Sequence, residues 1–268
     1  MNLIVNGANT YCYTGGKTFD AVKPTIIFVH GVLHDHSVWI LQTRYLAHHG
    51  WNVLAVDLPG HCRSAGEPPK SVEEAADFII ALMNAAGLER AALVGHSFGS
   101  LIVLEAAARA PERVSQLVLV GTAAPMKVSK LLLDGSVNDP MKALEMVNIF
   151  SRNTLAPPPS ALGSGTWVYG ASMALGRRVL ASNPRVNLFY TGFKACDSYT
   201  HGEEAMTLVS CPVLFVLGQS DQMTPPKAAQ VLVQKARQAK VVYLPSGHHQ
   251  MNETPEQMLT ALTGFLSQ

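Results

Sequence analysis

The sequence predicts an α/β fold in which a mostly parallel sheet is covered by helices on both faces and interrupted once by a helical insertion. Three observations lead there. Strand-like apolar runs alternate with helical patterns up to Gly121, the alternation breaks between 122 and 209, and it resumes at Pro212. Third, a serine is fenced by glycines in Leu93-Val94-Gly95-His96-Ser97-Phe98-Gly99, between an apolar run and a nearly all-apolar stretch.

Taken in order, residues 3–5 and 11–13 read as a short antiparallel pair, and 25–29 as a buried strand ending at His30-Gly31. Residues 32–37 form a loop, and 38–48 carry Trp39, Leu41, Tyr45 and Leu46 at spacings that suit a helix packed by one side. The next strand, 52–56, closes at Asp57-Leu58-Pro59-Gly60-His61. Ser71-Val72-Glu73-Glu74 is a capping-box start for a helix whose stripe is Val72, Ala75, Ala76, Ile79, Met83 and Ala86, stopped by Gly87. Strand 91–94 leads into Ser97 and helix 98–108, Ala110-Pro111 ends that helix, and 114–120 is another apolar strand. Helices of uneven quality are predicted at 131–133, 141–150, 167–180 and 186–195, with Pro157-Pro158-Pro159 among their separators. Strand 212–217 resumes the sheet, Thr224-Pro225-Pro226 reads as an N-cap and helix start, 240–244 is the last strand, and Thr254-Pro255-Glu256-Gln257 opens a final helix to Leu266. The expected division is a core of 1–121 and 210–268 with 122–209 inserted as a helical cap.

A chain of 268 residues with a formal net charge of +1 and interspersed signs offers no electrostatic footprint for nucleic acid or an anionic membrane. Small, neutral, fairly apolar ligands suit it better. Cys12, Cys62, Cys196 and Cys211 show no metal-site or disulfide spacing, so reduced structural thiols are expected. The start lacks a basic, then apolar, leader pattern and no run reaches membrane-spanning length, so a cytoplasmic protein is expected.

The chemistry starts at Ser97. Glycines at i−2 and i+2 let neighbouring backbones pass closely while the turn forces the serine into a strained conformation at a helix start. A serine hydroxyl needs a base, and that base a carboxylate, to act as a nucleophile at neutral pH. Two loops at strand ends supply them: Asp221 in Gly218-Gln219-Ser220-Asp221, and His248 in Gly247-His248. His249 competes for the base; His248 is favoured because it follows the glycine that lets the loop turn inward. The oxyanion formed on attack would be met by the backbone N–H of Phe98 and that of Val32, with Leu33 the alternative. The histidines and aspartate of His34-Asp35-His36 also permit a metal reading, but i, i+2 loop ligands without a third cluster are weak, and neither metal nor cofactor is expected.

The sequence resembles the α/β-hydrolase fold superfamily, in the capped branch that includes esterases, lipase-like enzymes, cofactor-free haloperoxidases and C–C bond hydrolases. The resemblance rests on His30-Gly31, Asp57-Leu58-Pro59-Gly60-His61, the Gly95 to Gly99 elbow, Gly218 to Asp221, and Gly247-His248 followed by Glu253-Thr254-Pro255-Glu256. It implies an eight-stranded, mostly parallel sheet with a helical cap over the site. Cys62 departs from the pattern, which usually has glycine there. A serine nucleophile argues against epoxide hydrolases and haloalkane dehalogenases, and His96 stands where C–C hydrolases often carry asparagine.

Expected pocket residues are His30, Leu33, His96, Trp167, Tyr169, Met173, Phe193 and Met223, with Phe189, Tyr190 and Met251 further apolar candidates. The expected function is a serine carboxylesterase acting through an acyl-enzyme on small, fairly apolar esters, with water as co-substrate and a homodimer as one possible assembly. The alternatives are cleavage of a C–C bond in dienoic diketones, and a slow-turnover small-molecule receptor on the same fold.

Overall fold

The computed structural model describes residues 1–154 and 167–267. The predicted Pro157–Pro159 separator lies outside the described residues. Two strands, β1 (Asn2–Val5) and β2 (Ala8–Tyr13), form an antiparallel hairpin. Then come β3 (Thr25–Val29), helix α1 (Ile40–His48) after a 3-10 turn, β4 (Asn52–Val56), α2 (Val72–Ala85), β5 (Ala91–His96), α3 (Phe98–Arg109) and β6 (Val114–Val120). Among the described residues, five helices follow before the next strand: α4 (Lys130–Asn138), α5 (Pro140–Phe150), α6 (Val168–Ser182), α7 (Leu188–Ser198) and α8 (Gly202–Leu208). The chain finishes with β7 (Val213–Gly218), α9 (Gln230–Lys235), β8 (Ala239–Leu244), α10 (Gln250–Glu253) and α11 (Pro255–Leu266).

The eight strands form one sheet in the order β1-β2-β4-β3-β5-β6-β7-β8, parallel from β4 to β8. Strand alternation divides the core cleanly. Ile27, Val29, Leu54, Leu93, Leu119 and Phe215 point to the face covered by α2 and α3, whereas Ile26, Phe28, Val53, Val94, Val118 and Leu214 point to the face covered by α1 and α11. A third apolar cluster joins Leu33 to Leu144 of α5, Met173 and Val179 of α6, and Phe189 and Phe193 of α7. Helix α8, which no pattern predicted, packs on α3 and α9 rather than on these helices. Among the described residues, no helix is long and apolar enough to cross a membrane.

Some local expectations change. In α1 the inward face is Gln42, Thr43, Leu46 and Ala47, while Leu41 and Tyr45 are exposed. Polar groups take that face because Gln42 Nε2 donates to Met251 O at 3.0 Å and Thr43 Oγ1 to Trp39 O at 2.8 Å, although Gln42 Oε1 finds no hydrogen-bond partner among the described residues. Ser71 accepts from Glu74 N, but Glu74 returns its carboxylate to Lys70 N instead of Ser71 N. Thr254 does not cap α11 with its hydroxyl; it donates to Gln250 O, continuing α10.

The register aligns the carboxyl ends of the parallel strands: Val29 pairs with Gly95, His96 with Val120, Val120 with Val216, and Gly218 with Leu244. Only one residue separates β5 from α3, so the helix folds back hard against the strand. A Cβ on Gly95 would sit 2.1 Å from Gly99 O, and one on Gly99 2.4 Å from Val29 O. Backbone is what they would strike, so neither clash relaxes cheaply. Gly95→Ala and Gly99→Ala are each expected to lower unfolding free energy by about 1–3 kcal/mol or more, measured by urea denaturation.

Candidate active site

Ser97 occupies the single-residue turn between β5 and α3 with φ 54° and ψ −120°, a left-handed conformation strained for a residue with a Cβ. Its own N–H is spent on Val120 O at 2.9 Å, and Ser100 locks its carbonyl from Oγ at 2.6 Å. The side chain lines two adjoining cavities.

His248 follows β8 and lines the same two cavities. Its Nδ1 lies 2.8 Å from Asp221 Oδ2. An ionised carboxylate only accepts, so the ring proton belongs on Nδ1 and Nε2 is left with its lone pair. Asp221 is fixed in turn: Oδ1 accepts from Met223 N and Thr224 N, both at 2.8 Å, and Oδ2 from Thr224 Oγ1 at 2.8 Å. Burial alone would raise the Asp221 pKa, but the adjacent His248 and these bonds hold it below the ordinary carboxylate value. Thr224 Oγ1 also stands 3.1 Å from His248 Nδ1. Instead of capping a helix, as its Thr-Pro-Pro context suggested, Thr224 bridges the acid and the imidazole; the 3-10 turn that follows starts at Pro226.

Close packing seats the two loops. A Cβ on Gly218 would lie 2.0 Å from Gly247 O, and one on Gly247 2.5 Å from Ser151 O. Gly247 therefore serves by close approach to the end of α5, not by a positive φ. His248 N donates to Ser151 O at 2.6 Å and His96 Nε2 to His248 O at 2.7 Å, tying the histidine to α5 and β5. His249, the competing base, turns its ring toward His34 and His96, with centroids 5.1 and 5.9 Å away, and has no carboxylate on its ring.

The loop after β3 passes beside the serine: a Cβ on Gly31 would come within 3.2 Å of Ser97 Cβ. Val32 lines both cavities, and Phe98 is the first residue of α3, where an amide has no carbonyl partner within its helix. Leu33 adopts φ 56°, which reverses the chain there.

The small cavity, about 40 Å³, is lined by Leu33, His34, His96, Leu144, Asn148, Ser151, Phe189, Phe193 and His249 among others. The larger, about 320 Å³, is apolar toward Met126, Val128, Leu131, Leu132, Met146, Phe150, Phe193 and Met223. Leu33, His96, Phe193 and Met223 thus stand where expected of pocket residues. Four others do not line these cavities. His30 is wholly buried and holds backbone, with Nδ1 on Gly31 O and Nε2 accepting from Leu58 N. Trp167 is 71% exposed, Tyr169 packs on the third apolar cluster, and Met173 is spent inside that cluster with its sulfur on Asn148 Nδ2. Tyr190 faces solvent, and Met251 is buried under α1 and α11. Met126, Met146 and Thr224 were missed: the first two lie on a loop and helix whose placement no local pattern fixes.

The His34-Asp35-His36 loop splits up. His34 stacks toward His96, while Asp35, His36 and Asp57 bring ligand-type atoms within 4.8 Å of one another. These carboxylates already hold donors: Asp57 Oδ1 accepts from His36 N and faces His36 Nδ1, and Asp35 is held by Ser37, Arg178 and Cys62. The Asp35 pKa falls despite burial because of those bonds and charges. Cys62 has φ 46°, which explains why glycine is the usual residue at that position, and burial beside Asp35 pushes its thiol up to about 12. The four cysteines are free thiols.

A family model for the alpha/beta hydrolase fold matches residues 24–255. The chain belongs to the α/β-hydrolase fold family. The pimeloyl-[acyl-carrier protein] methyl ester esterase of Nitrosomonas europaea is 28% identical over 247 residues, 88% of this chain and 93% of that protein. A dihydrolipoyllysine-residue acetyltransferase component of an acetoin cleaving system from Pseudomonas putida is 27% identical over 247 residues, and the match spans only 63% of that longer protein. In fold, the chain is similar to an esterase from Exiguobacterium antarcticum, with TM-score 0.85, 17% identity and coverage of 100% and 99%. It is also similar to the enol-lactonase of Burkholderia xenovorans LB400, with TM-score 0.81, 20% identity and full coverage of both chains.

Burial sets a pH dependence on the whole region. His30, His34, His61, His96 and His249 all have pKa values lowered by burial, His34 to about 3 and His61 to about 4, against 6.5 when solvated. They are neutral in the fold and take up protons on unfolding below pH 6.5. Stability is therefore expected to fall as pH drops from 6.5 toward 5, each group adding up to about 1.4 kcal/mol per pH unit. Urea denaturation at pH 7.5 and 5.5 measures it.

Proposed function

We propose that the chain is a serine hydrolase that cleaves carboxylic esters of small, fairly apolar substrates. Ser97 Oγ attacks the ester carbonyl as His248 Nε2 takes its proton, and Asp221 holds the imidazolium in place. The tetrahedral oxyanion is received by the N–H groups of Val32 and Phe98. His248 returns the proton to the departing alcohol, leaving an acyl-enzyme; a water, deprotonated by the same imidazole, then releases the acid and restores Ser97.

The observation that carries this reading is the 2.8 Å contact of Asp221 with His248 at the mouth of cavities that also hold a left-handed serine. Membership of the α/β-hydrolase family and an esterase-named relative along most of the chain support a hydrolase. The apolar lining of the larger cavity favours a hydrocarbon chain there, and the smaller leaves room for a short group. Residues 122–209 act in this reading as the cap, with α4 to α7 over the cavities; α8, packed on α3, serves the core instead.

A fluorophosphonate probe should label Ser97 alone, and labelling that persists in Ser97→Ala overturns the assignment. His248→Ala is expected to abolish turnover and His249→Ala to keep it measurable; the reverse names the other base. Thr224→Val, which removes the hydroxyl between Asp221 and His248, is expected to lower kcat about tenfold with little change in KM. Met146→Trp should shorten the preferred chain length in a panel of graded esters, costing about tenfold or more in kcat/KM for the longest.

A further inference from the structure

A third cavity, about 560 Å³, shares His34, Ser172 and His249 with the small pocket at Ser97 and is completed by residues that include Arg152, Arg178 and Asn252. Its two arginines are in different electrostatic states. Arg178 has a partner, its Nη2 lying 2.6 Å from Asp35 Oδ2. Arg152 donates from Nη2 to Ser172 Oγ, while its Nε is buried and has no hydrogen-bond partner among the described residues. The acid whose field reaches it is Glu253, and that carboxylate is committed to backbone: Oε1 to His249 N, Oε2 to Asn153 N and Gly247 N. The segment 155–166 that follows contains no Asp or Glu to serve instead.

A guanidinium cannot discharge itself by losing a proton; Glu253 offsets part of the Arg152 charge through its field, but a buried N–H left without an acceptor is costly. Neighbouring imidazoles do not relieve it, since they are neutral and carry no negative charge. Its planar donor fork matches a carboxylate, and the hydroxyl of Ser172 and the amide of Asn252 lie beside it on the same cavity.

We propose that Arg152 anchors an anion subsite for a carboxylate carried by the substrate, on the cavity that shares His34, Ser172 and His249 with the small pocket at Ser97 and distinct from the large apolar cavity. This rests on the ester-hydrolase reading and narrows it to esters that bear a free carboxylate a few bonds from the scissile carbonyl. The net charge of +1 makes general attraction of anions too weak to imitate such a preference.

The test compares monomethyl glutarate with its neutral counterpart dimethyl glutarate. Binding is measured by calorimetry on the full chain carrying Ser97→Ala, so the result stands whether or not Ser97 is the nucleophile. The monoester is expected to bind at least tenfold tighter, with the same preference in kcat/KM of the unmodified chain. Arg152→Gln should erase the preference and Arg152→Lys should retain part of it. Arg185→Gln, which removes an exposed charge elsewhere, should retain all of it. Acetate alone binding as tightly as the monoester, with the same dependence on Arg152, would overturn the substrate as the source of the anion. Equal binding of the two esters, or a preference that survives Arg152→Gln, overturns the subsite. Preference in binding without any turnover upholds the subsite and sinks the hydrolase reading instead.

Discussion

The site depends on one tight crossing of backbones. With β5 ending at His96 and α3 starting at Phe98, the chain reverses through Ser97 alone, and φ 54° is the conformation that accomplishes it. Such a turn is unstable by itself; it persists because the sheet over-determines it. Ser97 N is fixed to Val120 O on one side, and Gly99 fits beneath Val29 and His30 carbonyls on the other. Once those contacts form, the direction of the Ser97 Cα–Cβ bond follows from the fold. Gly31 brings the loop after β3 against the same turn, so the candidate oxyanion donors and the nucleophile share one rigid reference.

The second constraint is charge. His34, His96, His248 and His249 form a contiguous imidazole cluster, with ring centroids 4.7 Å apart for His96 and His248 and 5.7 Å for His34 and His96. Of these four, His248 is the one whose ring meets a carboxylate. Burial and mutual repulsion keep His34, His96 and His249 neutral, so in the proposed cycle a proton taken from Ser97 has one place to reside. His96 makes this arrangement mechanical as well as electrostatic, because the hydrogen on its Nε2 is committed to His248 O.

How far the sequence disclosed this varies with the range of the forces involved. The parallel strands, the elbow and the loops of Asp221 and His248 were legible because continuous apolar runs, glycine spacing and strand ends are local signals. The inward face of α1 was not, since Gln42 is buried only because Met251, far along the chain, offers a carbonyl. Thr224 looked like a helix cap because Thr before Pro has that local meaning; its use between Asp221 and His248 exists only once β7 and β8 pair. Trp167 looked like pocket material by size, yet placement against solvent follows from how α6 packs, which composition does not encode. Arg152 carried no motif at all, and its place on a cavity beside Ser172 and Asn252 is a property of three-dimensional neighbours.

This division has a physical origin. Strands β3 to β7 are buried on both faces, so almost any substitution there changes packing volume or exposes backbone, and sequence in that layer is tightly tied to geometry. Helices α4 to α7 touch the sheet's edge and one another through a smaller apolar cluster and leave Leu131, Ile149 and Phe150 in solvent. Their residues can vary without breaching the core, and among them Leu131, Leu132, Met146 and Phe150 line the larger cavity. In the proposed reading, the reactive groups stand on the part that tolerates least change and the cavity lining on the part that tolerates most. The proposed reaction class is consequently read from short-range patterns, whereas the proposed carboxylate subsite is read from the surroundings of Arg152, which only the assembled molecule displays.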